Sequence, residues 1–336
     1  MAPEEFYIVG CDSDKFLLKR AESNSSFLVP SANDPNYIAV LNSIIDDESI
    51  DFVHAQNDAE VGMLSARRNE LRAMTFFPDP AVVRICQNKL ETYEHWERVG
   101  MTVPRTILLT SETDLRTAFR EFGGEVWLRA IEGAGGRGSL PARDIDTAIR
   151  WVELQHGWGT MTASELLEVN SVTWMSLWCD GELVVAQGRK RLYWELSRIA
   201  PSGVTGVTGG GVTFQDDELD MLAVRAISAV DSRPNGLYGV DFTYDNKGMP
   251  NPTEINIGRF FTTHFFFTML GLNMPYQYVQ CAFNDLPPRP WPVLNPLPNG
   301  KVWIRGVDFL PVLTEMEQVN RAEHDLANRM NQIDRS

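Results

Sequence analysis

Between Tyr238 and Ile257 the chain spells out a hairpin with acidic and amide side chains on one face, and this stretch constrains the fold more than any other. Tyr238 to Tyr244 is a run of strand formers, and Thr253 to Ile257 is another. The intervening Asp245-Asn246-Lys247-Gly248-Met249-Pro250-Asn251-Pro252 has the chemistry of a loop. Side chains alternate along a strand, so Glu254 and Asn256 share a face while Ile255 points to the core. Pairing the strands sets Asp241, within Gly239-Val240-Asp241-Phe242, on the neighbouring strand facing the same way. Three oxygen donors on one sheet face suit Mg²⁺, a hard cation that shares its octahedron with water and phosphate. The plainer alternative is a solvated hairpin face.

A second constraint is the run Gly133-Ala134-Gly135-Gly136-Arg137-Gly138, directly after the strand pattern Val126-Trp127-Leu128-Arg129-Ala130. Glycines let backbone N–H groups approach an anion, so the run reads as a phosphate cradle. It is no Walker A loop, because Gly138-Ser139 lacks the lysine. A Rossmann fingerprint opens a helix directly, whereas Ser139-Leu140-Pro141 follows here, with no acidic strand end about 20 residues on. Two readings stay open: a flexible flap between antiparallel strands, laid over a triphosphate, and a glycine-rich surface loop.

The rest of the chain fits a soluble α/β protein. At 336 residues, with about 150 per domain as a guide, two domains are expected. Residues 1–85 alternate short strands (Phe6 to Val9, Ser26 to Val29, Ile50 to Val53) with a helix begun at Asp34-Pro35, which predicts a parallel sheet. Asp79-Pro80 starts another helix, and Lys89 to Val99 is helical with Gly100 as its stop. Ser111 to Asp114 caps an amphipathic helix through Phe122, and Asp216-Asp217-Glu218 begins a further one. Cys179-Asp180-Gly181-Glu182 turns a hairpin over 172–193. Gly203 to Gly211 reads as a second glycine-rich loop, and the proline-rich stretch from Asp285 to Pro298 as a surface wrap.

The net charge of −15 (30 Lys and Arg, 45 Asp and Glu) disfavours phosphate backbones and anionic lipid heads, so neither nucleic acid nor membrane is an expected partner. No run of about 18 apolar residues occurs and the N-terminus has no basic region of a signal peptide. Cys11, Cys86, Cys179 and Cys281 make no CxxC pair; four scattered thiols fit a reducing cytoplasm. His54, His95, His156 and His324 read as structural or surface residues, while His264 is a candidate to line an acceptor site. The phenylalanines at 260, 261 and 265–267 read as core.

Taken in order, these motifs resemble the ATP-grasp superfamily, in particular its carbamoyl-phosphate-synthetase-like, carboxylate–amine ligase branch. The matching residues are Gly10-Cys11-Asp12-Ser13-Asp14, Val29-Pro30, Asp34-Pro35-Asn36-Tyr37-Ile38, Ile50-Asp51, Asn88-Lys89, Gly100 to Pro104, Trp127 to Ala130 with the glycine run, and Gly239, Asp241, Glu254 and Asn256. The chain departs from the family pattern in two places. Ala130 stands where a proline is usual, and Arg259 comes one residue late in Glu254-Ile255-Asn256-Ile257-Gly258-Arg259.

The resemblance implies an α/β fold of the ATP-grasp (α+β) type. A pre-ATP-grasp domain over 1–85, lacking its usual first strand, precedes a two-lobed ATP-grasp domain over 86–285 with a lid at about 105–168. Residues 286–336 form a C-terminal extension packed on that domain. The cofactors implied are ATP and Mg²⁺, with Mn²⁺ as a substitute. Asp241, Glu254 and Asn256 would hold metal; Lys89 and Arg129 the phosphates; Gly133, Gly135, Gly136, Arg137 and Gly138 the flap; and Glu165 to Glu168, notably Glu165, Leu167 and Glu168, the adenine hinge. Arg259 and Arg129 are the catalytic candidates, with Arg189, Lys190 or Arg191 as alternative holders of the substrate carboxylate.

The implied reaction activates a carboxylate as an acyl phosphate, releasing ADP, for attack by an amine; a homodimer is compatible with it. Phosphorylation of bicarbonate or carbamate is the near variant. A nucleotide-binding subunit without turnover and an NAD(P) oxidoreductase are the alternatives from other classes.

Overall fold

The computed structural model describes residues 6–14, 17, 23–133, 135, 136, 138–286, 292–306 and 312–317. In the N-terminal region β1 (Val9–Asp12) pairs in parallel with β2 (Ser25–Leu28), and β3 (Phe52–Val53) pairs in parallel with β4 (Met74–Thr75). The single parallel sheet expected here is therefore two separate two-stranded ladders among the described residues. With only two residues each, β3 and β4 are too short to carry a ladder further. The helix expected from Asp34, Tyr37–Glu48, starts later: Asp34 instead makes a turn, its carboxylate accepting from the Asn36 N–H (2.8 Å) and its carbonyl from the Tyr37 N–H (3.1 Å). Residue preference for the helix start gave way to Asx-turn hydrogen bonding.

A small four-stranded sheet follows, built from β5 (Thr106–Leu108), β6 (Val126–Ala130), β7 (Leu140–Ala142) and β8 (Met161–Ser164) in the order β5-β8-β6-β7. Helices Glu112–Glu121 and Ile145–Leu154 cover one face, burying Leu115, Ala118, Ala148 and Val152 against Val126, Leu128 and Ala163. Both helices begin where the sequence offers a cap: Ser111 with Asp114 in a reciprocal box, and Asp144 accepting from the Thr147 N–H at 2.7 Å. Because β6 and β7 run antiparallel, the glycine run between them is a hairpin flap rather than a helix entry.

The body of the molecule is an antiparallel seven-stranded sheet. It contains β9 (Ser171–Cys179), β10 (Glu182–Trp194), β11 (Thr208–Phe214), β12 (Gly236–Tyr244), β13 (Pro250–Ile257), β14 (Lys301–Ile304) and β15 (Val312–Glu315), in the order β13-β12-β9-β10-β11-β14-β15. Strand β9 is buried along almost its whole length; Val172, Trp174, Met175 and Leu177 are core residues, while Ser171 and Thr173 carry hydroxyls on the site side. Helix Asp217–Ser228, capped by Asp216, lies on one side and joins the N-terminal helices in a common core with Trp96, whose indole donates to the Ala226 carbonyl at 2.9 Å. On the other side Phe260, Phe261, Phe266 and Phe267 pack with Trp303 and Tyr278.

Two expectations need correction. The loop reading of Gly203 to Gly211 holds only as far as 207, because Gly209, Gly210 and Gly211 lie within β11. Their lack of a side chain makes room for neighbours: a Cβ on Gly209 or Gly210 would sit 2.2 or 2.5 Å from the Tyr193 ring, and one on Gly211 would sit 3.0 Å from Arg189. The C-terminal segment also does more than wrap: β14 and β15 extend the main sheet, and Asn295 and Leu297 hydrogen-bond into β10. Arg137, His324, most of the proline-rich stretch before 292 and the residues after 317 lie outside the described residues.

Candidate active site

Asp241 and Glu254 are directly paired across β12 and β13, with a register shift immediately after Asp241. Asn256 lies two residues beyond Glu254 and its side-chain amide donates to Asp241 Oδ2 at 3.1 Å, so the three oxygen-bearing side chains meet on one face. Thr173 of β9 adds a hydroxyl at 2.5 Å from Asp241 Oδ1. Both carboxylates are half-buried and they respond oppositely. Burial, with Glu254 as a like charge, pushes the Asp241 carboxyl above the usual range against the pull of Arg191. Burial acts in the same sense on Glu254, but Arg129, Lys89 and Arg259 outweigh it and hold that carboxyl below its ordinary value.

The cations around this pair come from separate elements. Arg129 on β6 donates to Glu254 Oε2 at 2.8 Å and to the Thr253 carbonyl at 3.3 Å. Lys89 opens the helix Lys89–Arg98, whose cap is Asn88, and its ammonium donates to the Gly133 carbonyl at 2.6 Å. Desolvation pushes the Lys89 ammonium below its ordinary value. Arg259 is committed elsewhere: its Nε donates to Asp58 Oδ1 at 2.5 Å and its Nη2 to Asn256 Oδ1 at 2.7 Å.

Two adjoining cavities flank the carboxylates. One, about 400 Å³, runs between the small sheet and the main sheet past Trp127, Leu166, Leu167 and Trp194. The other, about 530 Å³, reaches from Asp58 and Arg259 to Arg189, Thr208 and Phe261. Lys89, Gly133, Gly135, Arg191, Asp241 and Glu254 line both, so the charged cluster is the junction between them.

The glycine flap covers that junction. Gly133, Gly135, Gly136 and Gly138 all have positive φ (99°, 74°, 67° and 72°), a backbone that L side chains resist. The indole of Trp151 anchors the flap's far end by donating to the Gly138 carbonyl at 2.9 Å. In the hinge segment, the Glu165 carboxylate is taken by Arg105, through the backbone N–H at 2.9 Å and Nε at 2.8 Å. Glu168 is exposed and its N–H pairs with the Tyr244 carbonyl at 2.9 Å. Leu166 and Leu167 line the first cavity between these two fixed points.

Solved structures share the fold at low sequence identity. The biotin carboxylase domain dimer of 2-oxoglutarate carboxylase from Hydrogenobacter thermophilus, in complex with MgADP, ADP and bicarbonate, matches with a TM-score of 0.66 and 15% identity over 88% of this chain and 68% of that one. N5-carboxyaminoimidazole synthetase from Staphylococcus aureus, complexed with ADP, gives 0.65 and 11% over 88% and 74%. The L-amino acid ligase from Bacillus licheniformis gives 0.58 and 14% over 83% and 68%.

The chain has the ATP-grasp fold. No protein-family model and no curated protein sequence matches it.

In ATP-grasp terms the main and small sheets are the two jaws, and the cavity with Leu166 and Leu167 lies between them. Lys89, Gly133, Gly135, Asp241 and Glu254 converge on the junction; Arg129, which reaches Glu254, and Gly136 line only the first cavity, and Asn256 and Arg259 only the second. Glu165 and Glu168, expected in the adenine hinge, line the first cavity together with Leu166 and Leu167. Four contributors carried no readable signal in the sequence: Thr173, Trp194, Thr208 and Asp58. They are ordinary residues on strands or at a helix start, and only folding brings them to the cavities.

The residues present fit a divalent ion. Two paired carboxylates, one held above its ordinary range partly by the other's charge, form a cluster that a cation relieves; Asn256 reaches Asp241 through its amide N–H while its oxygen accepts from Arg259. Among the described residues no group of three or more His, Cys, Asp or Glu makes a complete protein cage. That suits a metal that completes its shell with phosphate and water. None of the described helices is long and apolar enough to cross a membrane.

Proposed function

We propose that this protein is an ATP-dependent, ADP-forming ligase that activates a carboxylate as an acyl phosphate for attack by an amine. The observation that carries the reading is the junction itself: two cavities that meet at Asp241 and Glu254, with Lys89 and Arg129 alongside and a glycine flap above. One cavity takes the nucleotide and the other the acid, so that the γ-phosphate and the acceptor oxygen meet where the charges are. Structural neighbours have been solved with MgADP, ADP and bicarbonate and with ATP, which supports a nucleotide and an acid as ligands.

A carboxylate resists attack because its charge is shared and oxide is a poor leaving group; as an acyl phosphate it loses phosphate instead. The protein's part is positioning and charge neutralisation. Leu166 and Leu167 flank the adenine. Lys89 and Arg129 take the α- and β-phosphates. Arg129 presents a planar fork, so a bidentate grip is available where a lysine would give a point charge. Asp241, Glu254 and Asn256 hold Mg²⁺, which when bound neutralises phosphate charge during transfer. Arg129 then leaves Glu254 for the phosphate. The flap excludes water that would hydrolyse the intermediate.

The test is a screen for ADP release over a carboxylate and amine library, followed by ¹⁸O transfer from the labelled acid into phosphate. Glu254→Gln is expected to cut ADP release at least about 100-fold. ADP release by no acid–amine pair, with nucleotide binding intact, overturns catalysis in favour of a second reading. That reading is a nucleotide-binding subunit without turnover. It draws on Arg259, a catalytic candidate from the sequence, being bound to Asp58.

A further inference from the structure

Arg189 and Arg191 are the anomaly of the second cavity. Arg189 is 1% exposed, yet its guanidinium meets only hydroxyls: Nη1 donates to Thr263 (2.7 Å) and Thr208 (3.1 Å), Nη2 to Thr173 (2.6 Å). Its Nε–H is buried with no partner. Arg191, two residues on and on the same strand face, meets Ser171 (2.6 Å), Thr208 (3.1 Å) and Thr173 (3.4 Å) and stacks on Trp194 at 3.6 Å. Among the described residues neither makes an ion pair with a carboxylate, although Asp241 pulls on both through space and Glu254 on Arg191. Burial, and then each arginine's like-charged neighbour in the case of Arg189, pushes that guanidinium below its ordinary value. Two adjacent buried guanidiniums whose hydrogen bonds go to hydroxyls, with Asp241 acting on both only at a distance, are costly unless a further anion completes them.

The fold supports this pair deliberately in steric terms. Gly211 sits beneath the Arg189 side chain, where any Cβ would come within 3.0 Å of it. The Phe261 ring lies 4.7 Å from the guanidinium. Meanwhile Arg259, on the opposite side of the cavity, already has its counter-ion in Asp58.

Resting on the ligase reading above, we infer that Arg189 and Arg191, not Arg259, grip the acceptor, and that the acceptor is an organic carboxylate rather than bicarbonate. The hydroxyl of Thr173 touches both Arg189 Nη2 and Asp241 Oδ1, which places a carboxylate held by the arginines beside the metal-holding face. A cavity of about 530 Å³ with Phe261 and Ala59 among its lining residues has room for a carbon skeleton that bicarbonate lacks. A planar fork meeting a planar carboxylate also gives orientation, as in-line transfer requires.

Calorimetry on the full chain saturated with a magnesium–nonhydrolysable ATP analogue tests this. The probes are bicarbonate, propionate, phenylacetate, succinate and glutarate. An organic acid is expected to bind more tightly than bicarbonate, and Arg189→Gln to weaken it at least about tenfold, near 1.4 kcal/mol. Arg189→Lys, which keeps the charge without the fork, recovers part of the loss, and Arg259→Gln changes the affinity less than Arg189→Gln does. Thr263→Val, a milder change beside Arg189, weakens the same acid and guards against a misfolded Gln variant. The inference is overturned if bicarbonate binds as tightly as any acid in the panel, if none binds, or if Arg259→Gln is the variant that abolishes binding. The nucleotide titration is a separate readout. Wild-type protein that fails to bind the analogue sinks the ligase reading, while acid binding lost in Arg189→Gln still stands.

Discussion

At the scale of single residues, identical side chains do different work because their surroundings differ. Asp241 and Glu254 face each other, yet the cations cluster on the Glu254 side and leave Asp241 the more easily protonated of the two. Replacing Glu254 by Gln removes both a ligand and the partner of Arg129, so Mg²⁺-dependent nucleotide affinity is expected to fall at least about tenfold, measured by titration with and without chelator. A third acid, Asp220, is structural. It is 3% exposed and accepts from the Trp174 indole and the Asn295 amide, both at 2.6 Å. Burial pushes its carboxyl above the ordinary 3.8, and the two hydrogen bonds only partly offset that. A raised carboxyl favours the folded state most below 3.8, and that contribution is lost as pH rises through the folded value. The stability margin of wild type over Asp220→Asn is therefore expected to shrink from pH 4 towards neutrality in denaturant titrations; a margin that widens would contradict it. These assignments were not legible in the sequence, where all three acids look alike beside apolar neighbours.

At the scale of elements, the flap and the segment before β11 act as facing surfaces without side chains. A Cβ on Gly206 would lie 2.5 Å from Gly135 Cα, and one on Gly136 would lie 2.8 Å from the Val204 carbonyl oxygen. Both glycines also have positive φ, 70° and 67°. Gly206→Ala is thus expected to push the two loops apart, weakening nucleotide binding by about tenfold while Tm falls by less than about 4 °C, read by calorimetry and thermal unfolding. An unchanged affinity would show that the loop contact is dispensable. The glycine flap was readable from its position after a strand and before a non-helical Ser139-Leu140-Pro141. The second glycine cluster was only half readable. Composition says turn, but Gly209 to Gly211 are strand residues because Tyr193 and Arg189 need the space above them.

At the scale of the whole molecule, the N-terminal region is tied to the metal-side strand by one buried-edge ion pair. Arg259 (14% exposed) and Asp58 (29%) bridge the end of β13 and the start of helix Asp58–Ala66. Asp58→Ala is expected to cost on the order of 1 kcal/mol, a Tm lower by about 2–4 °C, and to leave Arg259 on Asn256 alone. Differential scanning calorimetry reads the first effect. A variant as stable as wild type would mean that the shared core around Trp96, Phe77 and Val61 carries the docking by itself.

Local chemistry in the sequence determined the acidic hairpin, the flap, the helix caps of Asn88, Ser111, Asp144 and Asp216, and the alternation of short strands with helices. Such features need only neighbours within a few residues, so the chain states them directly. Tertiary structure alone decided which cations meet which acids, that Arg259 answers to Asp58 while Arg189 is left with hydroxyls, and that β14 and β15 complete the main sheet. Those outcomes depend on residues more than 100 positions apart arriving within hydrogen-bond distance, as Arg129 and Glu254 do at a separation of 125. No local pattern encodes such a distance; the packing of the two sheets does.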